Sequence, residues 1–332
     1  MLKLIQFILL FFLFIAVALA TVWASLAFWF KLPGPDIVRW CVMGAFGGLG
    51  LGTLVAIFKT VRWRWLSVFA LALIGVIGWW NTLVPPTDRE WPAEVAHQFS
   101  GTIDGDTVTL ENVRAFEWRT DEDYTEHWVT RTYDLTQIET VDLFLSFWGA
   151  PSIGHFMLSF GFSDGRYLTF SDEVRRAVGG EFSPVGDFFK ANPIITVASE
   201  EYDVVGLRSN IRKERVQIFR VKSDPARRRA LLEAYVVSAN KLIEKPRWFN
   251  SAFTNCSRSS IQLARHVGAN LPADWRILVN GYFPDYLYER GAMNTDFSLD
   301  DLFRLGDITE RANTVGLNDA YSAAIRVGVP TP

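Results

Sequence analysis

Three long stretches without a charged side chain open this chain: residues 4–30, 40–58 and 65–87. A helix that crosses the hydrocarbon core of a bilayer needs about 20 apolar residues. Each stretch is therefore long enough to span, and the pattern commits the first quarter of the chain to a three-helix membrane anchor. Ala18-Leu19-Ala20 fits a signal-peptidase site, but the apolar run continues through Phe30, well beyond the h-region of a secretory signal, so the first span is read as uncleaved. Trp23, Trp29, Trp40, Trp63, Trp65, Trp79 and Trp80 fall near the ends of the spans, where amphipathic rings sit at headgroup level.

Charge changes sign where the spans end. Through residue 83 the chain has six basic residues (Lys3, Lys31, Arg39, Lys59, Arg62 and Arg64) and one acid, Asp36; residues 84–332 carry 27 basic and 35 acidic residues. The loop with Lys59, Arg62 and Arg64 is more basic than the loop with Lys31, Asp36 and Arg39, which places the second loop in the cytoplasm and everything after the third span on the outer side. The expected location is the inner membrane, multi-pass, with the C-terminal part in the periplasm. An acidic globular part lacks the basic face that nucleic acid requires, so no nucleic-acid partner is expected, and the bilayer itself is the first partner. The expected organisation is an anchor over residues 1–84, a Pro-rich linker over 85–92 and one domain over 93–332.

Cysteine adds a constraint. Cys41 lies in the second span and Cys256 in the globular part, so the two are not expected to form a disulfide even in an oxidising compartment. One Cys and four scattered histidines show no metal-ligand spacing, and neither a metal nor another cofactor is expected.

Strands come first in the globular part. Thr107–Leu110, Trp128–Thr130 and Val141–Leu145 are rich in β-branched and aromatic residues. From Ile153 to Arg175, Phe156, Leu158, Phe160 and Phe162 alternate with His155, Met157, Ser159 and Gly161. The turn Ser163-Asp164-Gly165 then leads into a second alternating run with Leu168 and Phe170. A three-residue loop pairs Phe160 with Leu168 and Leu158 with Phe170, which sets His155 opposite Glu173 on the other face. Val204–Arg208 and Val216–Phe219 read as two more strands, and Ala226–Ile243 as a helix capped by Asp224 and ending before Pro246. Ser251–Val267 predicts a helix with Thr254 or Asn255 as its cap, which puts Cys256 in the first turn; the last 60 residues read as short helices and loops.

The first turn of a helix favours thiolate, because unpaired N–H groups and the helix dipole stabilise negative charge there. With His155 in reach, the imidazole acts as base toward the thiol and acid toward the leaving group, Glu173 fixes its tautomer, and Asn255 supplies an oxyanion donor. Ser171 and Arg175, beside Glu173, are candidates for positioning substrate. His97, His127 and His266 have no such setting and read as surface or structural, and Arg227-Arg228-Arg229 as a solvated helix face. The competing reading is a non-catalytic envelope module that binds a partner or assists assembly, with Cys256 buried in its core. A third, a metal-dependent hydrolase, requires bound zinc.

Several motifs occur in one order: Asn112-Val-Arg114-Ala-Phe116-Glu-Trp118-Arg119, His155-Phe-Met-Leu-Ser-Phe-Gly-Phe-Ser-Asp-Gly, Ser171-Asp-Glu173-Val-Arg175-Arg176, Glu201-Tyr-Asp203, Leu207-Arg208-Ser-Asn210, Asn240-Lys-Leu242, Phe249-Asn250 and Thr254-Asn255-Cys256. Over about residues 92–330 they resemble the DUF4105 family, also called the Lnb N-terminal periplasmic domain. The resemblance implies a membrane-tethered domain facing the envelope. Where relatives tend to show Asn-Cys-Thr-Thr, this chain has Asn255-Cys256-Ser257-Arg258.

The order His155, Glu173, Cys256 is also similar to circularly permuted papain-like folds of the NlpC/P60 kind, in which a strand histidine and its partner precede the helix-start cysteine. This likeness implies an α+β domain with an antiparallel sheet and acyl chemistry on amides, esters or thioesters. The expected protein is a periplasm-facing cysteine hydrolase or acyltransferase whose substrate is an envelope lipid, lipoprotein or wall peptide.

Overall fold

A computed structural model describes residues 1–181 and 183–332. The chain forms two compact units, Met1–Pro86 with Phe182–Asn192, and Thr87–Glu181 with Pro193–Pro332.

The first unit holds three helices, α1 (Leu2–Lys31), α2 (Asp36–Ala56) and α3 (Arg62–Thr82), each long and apolar enough to cross a membrane. Most of their apolar side chains face outward, among them Phe7, Leu19, Leu51 and Leu71, the inverse of a water-soluble bundle and the arrangement lipid demands. At Gly50 a Cβ would lie 2.3 Å from the Thr21 hydroxyl, so this glycine lets α1 and α2 approach closely. The unit also takes in a short excursion that the sequence did not foretell, containing helix α4 (Pro184–Phe188), which Ser183 caps. Phe189 stacks on Phe30 with ring centres 5.5 Å apart and meets Trp80 edge-on, while Lys190 donates to the Trp80 carbonyl at 2.7 Å.

The second unit is built on a mixed sheet. Its strands are β1 (Ser100–Asp104), β2 (Thr107–Arg114), the two-residue pair β3 (Glu117–Trp118) and β4 (Tyr124–Thr125), then β5 (Trp128–Asp134), β6 (Ile138–Phe147), β7 (His155–Phe162), β8 (Tyr167–Val174), β9 (Ile194–Glu200) and β10 (Arg215–Arg220). The main sheet runs β1-β2-β9-β8-β7-β6-β10, with β5 also on β2. Its pairings are antiparallel except β2 with β9, which is parallel, so the expected antiparallel sheet is antiparallel only in its larger part.

Both faces of this sheet are covered, which is why every residue of β7 is buried. Phe156, Leu158 and Phe160 point into a core shared with α6 (Pro225–Glu244), α7 (Cys256–His266), α8 (Phe283–Glu289) and α9 (Leu299–Gly306). Met157, between them, points to the opposite core, made with α5 (Glu201–Gly206), α10 (Thr309–Val315) and α11 (Tyr321–Ala324). The domain is α+β, as expected, with helices on both sides of the sheet.

One expected element is of the other kind. Val204–Arg208 is not a strand: α5 occupies Glu201–Gly206 and runs straight into a π-helical turn, Leu207–Ile211. The β-branched pair Val204-Val205 suggests extension, but Val204, Leu207 and Ile211 recur at helical spacing. Glu201 and Asp203 also stand in the first turn, where acids suit the helix dipole.

Candidate active site

The β7–β8 hairpin has the register that its alternation predicts. Phe160 pairs with Leu168 and Leu158 with Phe170, and Gly165 takes the left-handed conformation (φ +84°) that closes the three-residue turn. His155 and Glu173 consequently meet at the open end of the hairpin, with Nε2 3.0 Å from Glu173 Oε1. Ser171 Oγ lies 2.7 Å from the same nitrogen and donates to Glu173 Oε1 at 2.7 Å. The hydroxyl's one hydrogen goes to the carboxylate, so Ser171 accepts from His155, Nε2 carries the hydrogen, and Nδ1 is left for another partner.

The one thiol of the globular part stands on α7. Asn255 caps this helix, its oxygen accepting from Arg258 N–H at 3.0 Å and from Ser257 Oγ at 3.1 Å, so Cys256 is the first helical residue. Helix α7 packs across β7 and β8, and its half-buried Cys256 thiol lies close enough to the His155 ring to bear on its charge. Cys256, His155, Glu173 and Ser171 thus form one cluster where the sheet ends.

Asn255 and Arg175, two other predicted residues, each donate to backbone carbonyls. One hydrogen of the Asn255 amide goes to the Ser251 carbonyl at 2.9 Å, which fixes the side chain against the turn before α7. Arg175 does not join the cluster. Its Nε donates to the Val95 carbonyl at 2.9 Å, its Nη2 to the Ala96 carbonyl, and the guanidinium lies over Trp91, tying the start of the domain to the end of β8.

Buried charges set the electrostatics. Arg208, from the π turn, reaches Glu173 Oε1 at 3.2 Å and Glu214 Oε2 at 3.4 Å, and Ser146 Oγ donates to the same Glu214 oxygen. Burial and the Arg208 charge disfavour the imidazolium. The Glu173 carboxylate and hydrogen bonds to Cys256 and Glu173 outweigh them and push His155 up to about 9. Glu173 is held well below the usual carboxylate range despite its burial, because His155 and Arg208 face it. Both shifts favour an imidazolium beside a carboxylate. The backbone leading into His155 is fixed by Asn280, which accepts from Gly154 N–H at 2.9 Å and donates to the Gly154 carbonyl at 2.8 Å.

Asp172 lies on the opposite side of β8 from Glu173. Its Oδ1 accepts from Thr196 Oγ1 at 2.5 Å while Oδ2 is buried without a partner, and burial raises the carboxyl to about 6 even against the Thr196 hydrogen bond. A folded value above the unfolded one near 4 means that the contribution to stability is full below pH 4 and lost as pH rises through 6. The loss is about 3 kcal/mol for a shift of this size. An Asp172→Asn variant is therefore expected to be more stable than the parent at pH 8 and not at pH 4. Urea midpoints at the two pH values check this, and equal differences at both would refute it.

The remaining histidines stay outside the cluster. His97 packs edge-on to Trp128, His127 lies 3.8 Å from Glu117, and His266 is exposed at the end of α7. Among the described residues no group of three or more His, Cys, Asp or Glu is placed to hold a metal. In the Arg227–Arg229 run, Arg227 and Arg229 pair with Asp224 and Glu233, and Arg228 caps the Ile138 carbonyl. Sequence reasoning missed the part played by Arg208, Glu214 and Asn280. The one available signal was Arg208 itself, a single charge closing the apolar run Val204-Val205-Gly206-Leu207.

Residues 124–281 match the family model of the Lnb N-terminal periplasmic domain, the family that the motifs resemble, and the matched span contains His155, Ser171, Glu173, Arg208, Glu214, Cys256 and Asn280. No curated protein and no solved structure matches the chain. With three helices able to span a bilayer, this is a membrane-anchored protein with a periplasmic domain.

Proposed function

We propose that the protein is an inner-membrane, periplasm-facing cysteine hydrolase or acyltransferase, with Cys256 as nucleophile, His155 as acid and base, and Glu173 as the group that orients and charges the imidazole. The observation that supports this reading is the His155 ring, paired with Glu173 at 3.0 Å and near enough to the thiol at the start of α7 to be influenced by it. An imidazolium next to the sulfur, with N–H groups of the first helical turn behind it, is the setting in which sulfur attacks as thiolate.

In the first half-reaction the sulfur bonds to the carbonyl carbon of an amide, ester or thioester. The bond to the leaving group breaks, and the leaving group takes the proton from His155. Water or an acceptor amine or hydroxyl then attacks the thioester, His155 takes the attacking group's proton and returns it to the departing sulfur. First-turn N–H groups of α7 serve the oxyanion in both halves. The order of His155, Glu173 and Cys256 along the chain supports a permuted papain-like arrangement.

The substrate is an envelope lipid, lipoprotein or wall peptide, since three spans tether the domain to a bilayer. An apolar crevice of about 80 Å³ lies in the core beneath α7, lined by Phe156, Ser260, Ile261 and Leu287 among others. It adjoins a cavity of about 630 Å³ edged by Lys222 and Arg290. The test is acyl capture: full chain purified in detergent, incubated with p-nitrophenyl acetate, should release p-nitrophenol and carry one acetyl group on Cys256 by peptide mass. An unmodified Cys256 and unchanged p-nitrophenol release in Cys256→Ala would favour the competing reading, in which the thiol is a core residue of a binding module.

A further inference from the structure

Glu173 Oε1 accepts from Ser171 Oγ at 2.7 Å and Arg208 Nη2 at 3.2 Å, and lies 3.0 Å from His155 Nε2 as an ion pair. Arg208 comes from the helical layer on the far side of the sheet from α7. We propose that Arg208 is a positioning residue, which fixes the aim of the Glu173 carboxylate and limits the charge it hands to His155. This deepens the reading of Cys256 as a nucleophile and rests on it.

The way Arg208 is held argues for a role beyond packing. The chain leaves α5 through a π turn, Leu207–Ile211, a wide and unfavourable geometry that tends to occur where a side chain must be re-aimed for function. The turn is secured by Ser209 Oγ, which bonds the Val205 carbonyl and the Tyr321 hydroxyl, and by Asn210 Nδ2 on the Ala312 carbonyl. Behind Arg208, Glu214 receives its Nη1 and the Ser146 hydroxyl, and Glu214 N–H donates to the Arg208 carbonyl at 2.9 Å. Glu214, Arg208, Glu173 and His155 thus form a row of alternating charge through the domain, the first three with side chains no more than 20% exposed. Apolar side chains of the same size would stabilise a domain as well as such a row does. Its distinctive product is the charge state at its end.

The groups facing His155 are Arg208 from the π turn, Glu173 from β8 and Cys256 from α7, while Asp172 acts from the opposite side of β8. Arg208 opposes the imidazolium and Glu214 partly cancels Arg208, so removing each should move His155 in opposite directions. The experiment is a pH titration of the His155 ring signals by NMR in the full chain, assigned by their loss in His155→Gln. Thermal midpoints are recorded for each variant.

Arg208→Met is expected to raise the His155 midpoint by about one pH unit, the size typical of losing one adjacent buried charge. Arg208→Lys should restore the parental value, and Glu214→Gln should lower it. A purely structural Arg208 predicts lower thermal midpoints with His155 titrating as in the parent, which overturns the proposal. Should Arg208→Met fail to fold, Arg208→Lys and Glu214→Gln decide alone: an unmoved midpoint in Glu214→Gln overturns it. Failure of the nucleophile reading is separate, because it shows as Cys256 alkylation indifferent to His155→Gln whatever His155 titrates at.

Discussion

A His155→Ala variant of the full chain should acetylate Cys256 from p-nitrophenyl acetate about 10²- to 10⁴-fold more slowly than the parent, the usual worth of a positioned acid–base group. Cys256→Ala should not acetylate at all. The size of the first effect follows from the proposed roles: Nε2 faces Glu173 and Ser171, and the ring lies near the thiol. Removing the ring takes away the cation beside the sulfur and the proton donor for the leaving group together. Glu173→Gln should cost less, because Ser171 still accepts from Nε2 and holds the tautomer while the charge that raises His155 is lost. If His155→Ala acetylates within about threefold of the parent, a margin well below the acid–base range, the imidazole has no part in the chemistry.

The second large effect lies away from the cluster. Asp203, fully buried at the start of α5, receives Arg114 Nε and Nη2 at 2.9 Å each, the Phe116 N–H at 2.9 Å and Trp118 Nε1 at 2.7 Å. Arg114 is itself 2% exposed, and its guanidinium has, besides Asp203, only the Glu94 carbonyl among its described hydrogen-bond partners. Asp203→Ala leaves a guanidinium, an indole N–H and a backbone N–H without their acceptor. The expected loss is about 3–5 kcal/mol, against a typical domain stability of about 5–15 kcal/mol. Chemical denaturation of the full chain measures it. Arg114→Met combined with Asp203→Leu should recover a large part, since that pair removes both charges, whereas a loss under about 1 kcal/mol for Asp203→Ala would mean that water replaces the carboxylate.

What could be read in advance follows from which physical signals are local. The hairpin was legible because a period of two and one turn fix its register, and that register alone brings His155 to Glu173. The start of α7 was legible because Asn255 is a capping residue in front of an apolar stripe, which locates Cys256. The fate of Val204–Arg208 was not, since β-branched residues suit both a strand and a buried helix, and only the opposing core decides. Nor was the pairing of Phe189 and Lys190 with the ends of α1 and α3, a contact across more than a hundred residues. Arg208 was visible as a residue but not as a partner, because the π turn that aims it has no signature in the order of side chains.

The central claim is that Cys256 owes its reactivity to His155. Its most direct test is the second-order rate of Cys256 alkylation by iodoacetamide at pH 7, followed by peptide mass in the full chain and in His155→Gln. An imidazolium beside the sulfur predicts a parental rate at least about tenfold above that of the variant. Equal rates, or a Cys256 that stays unmodified in both, would contradict it.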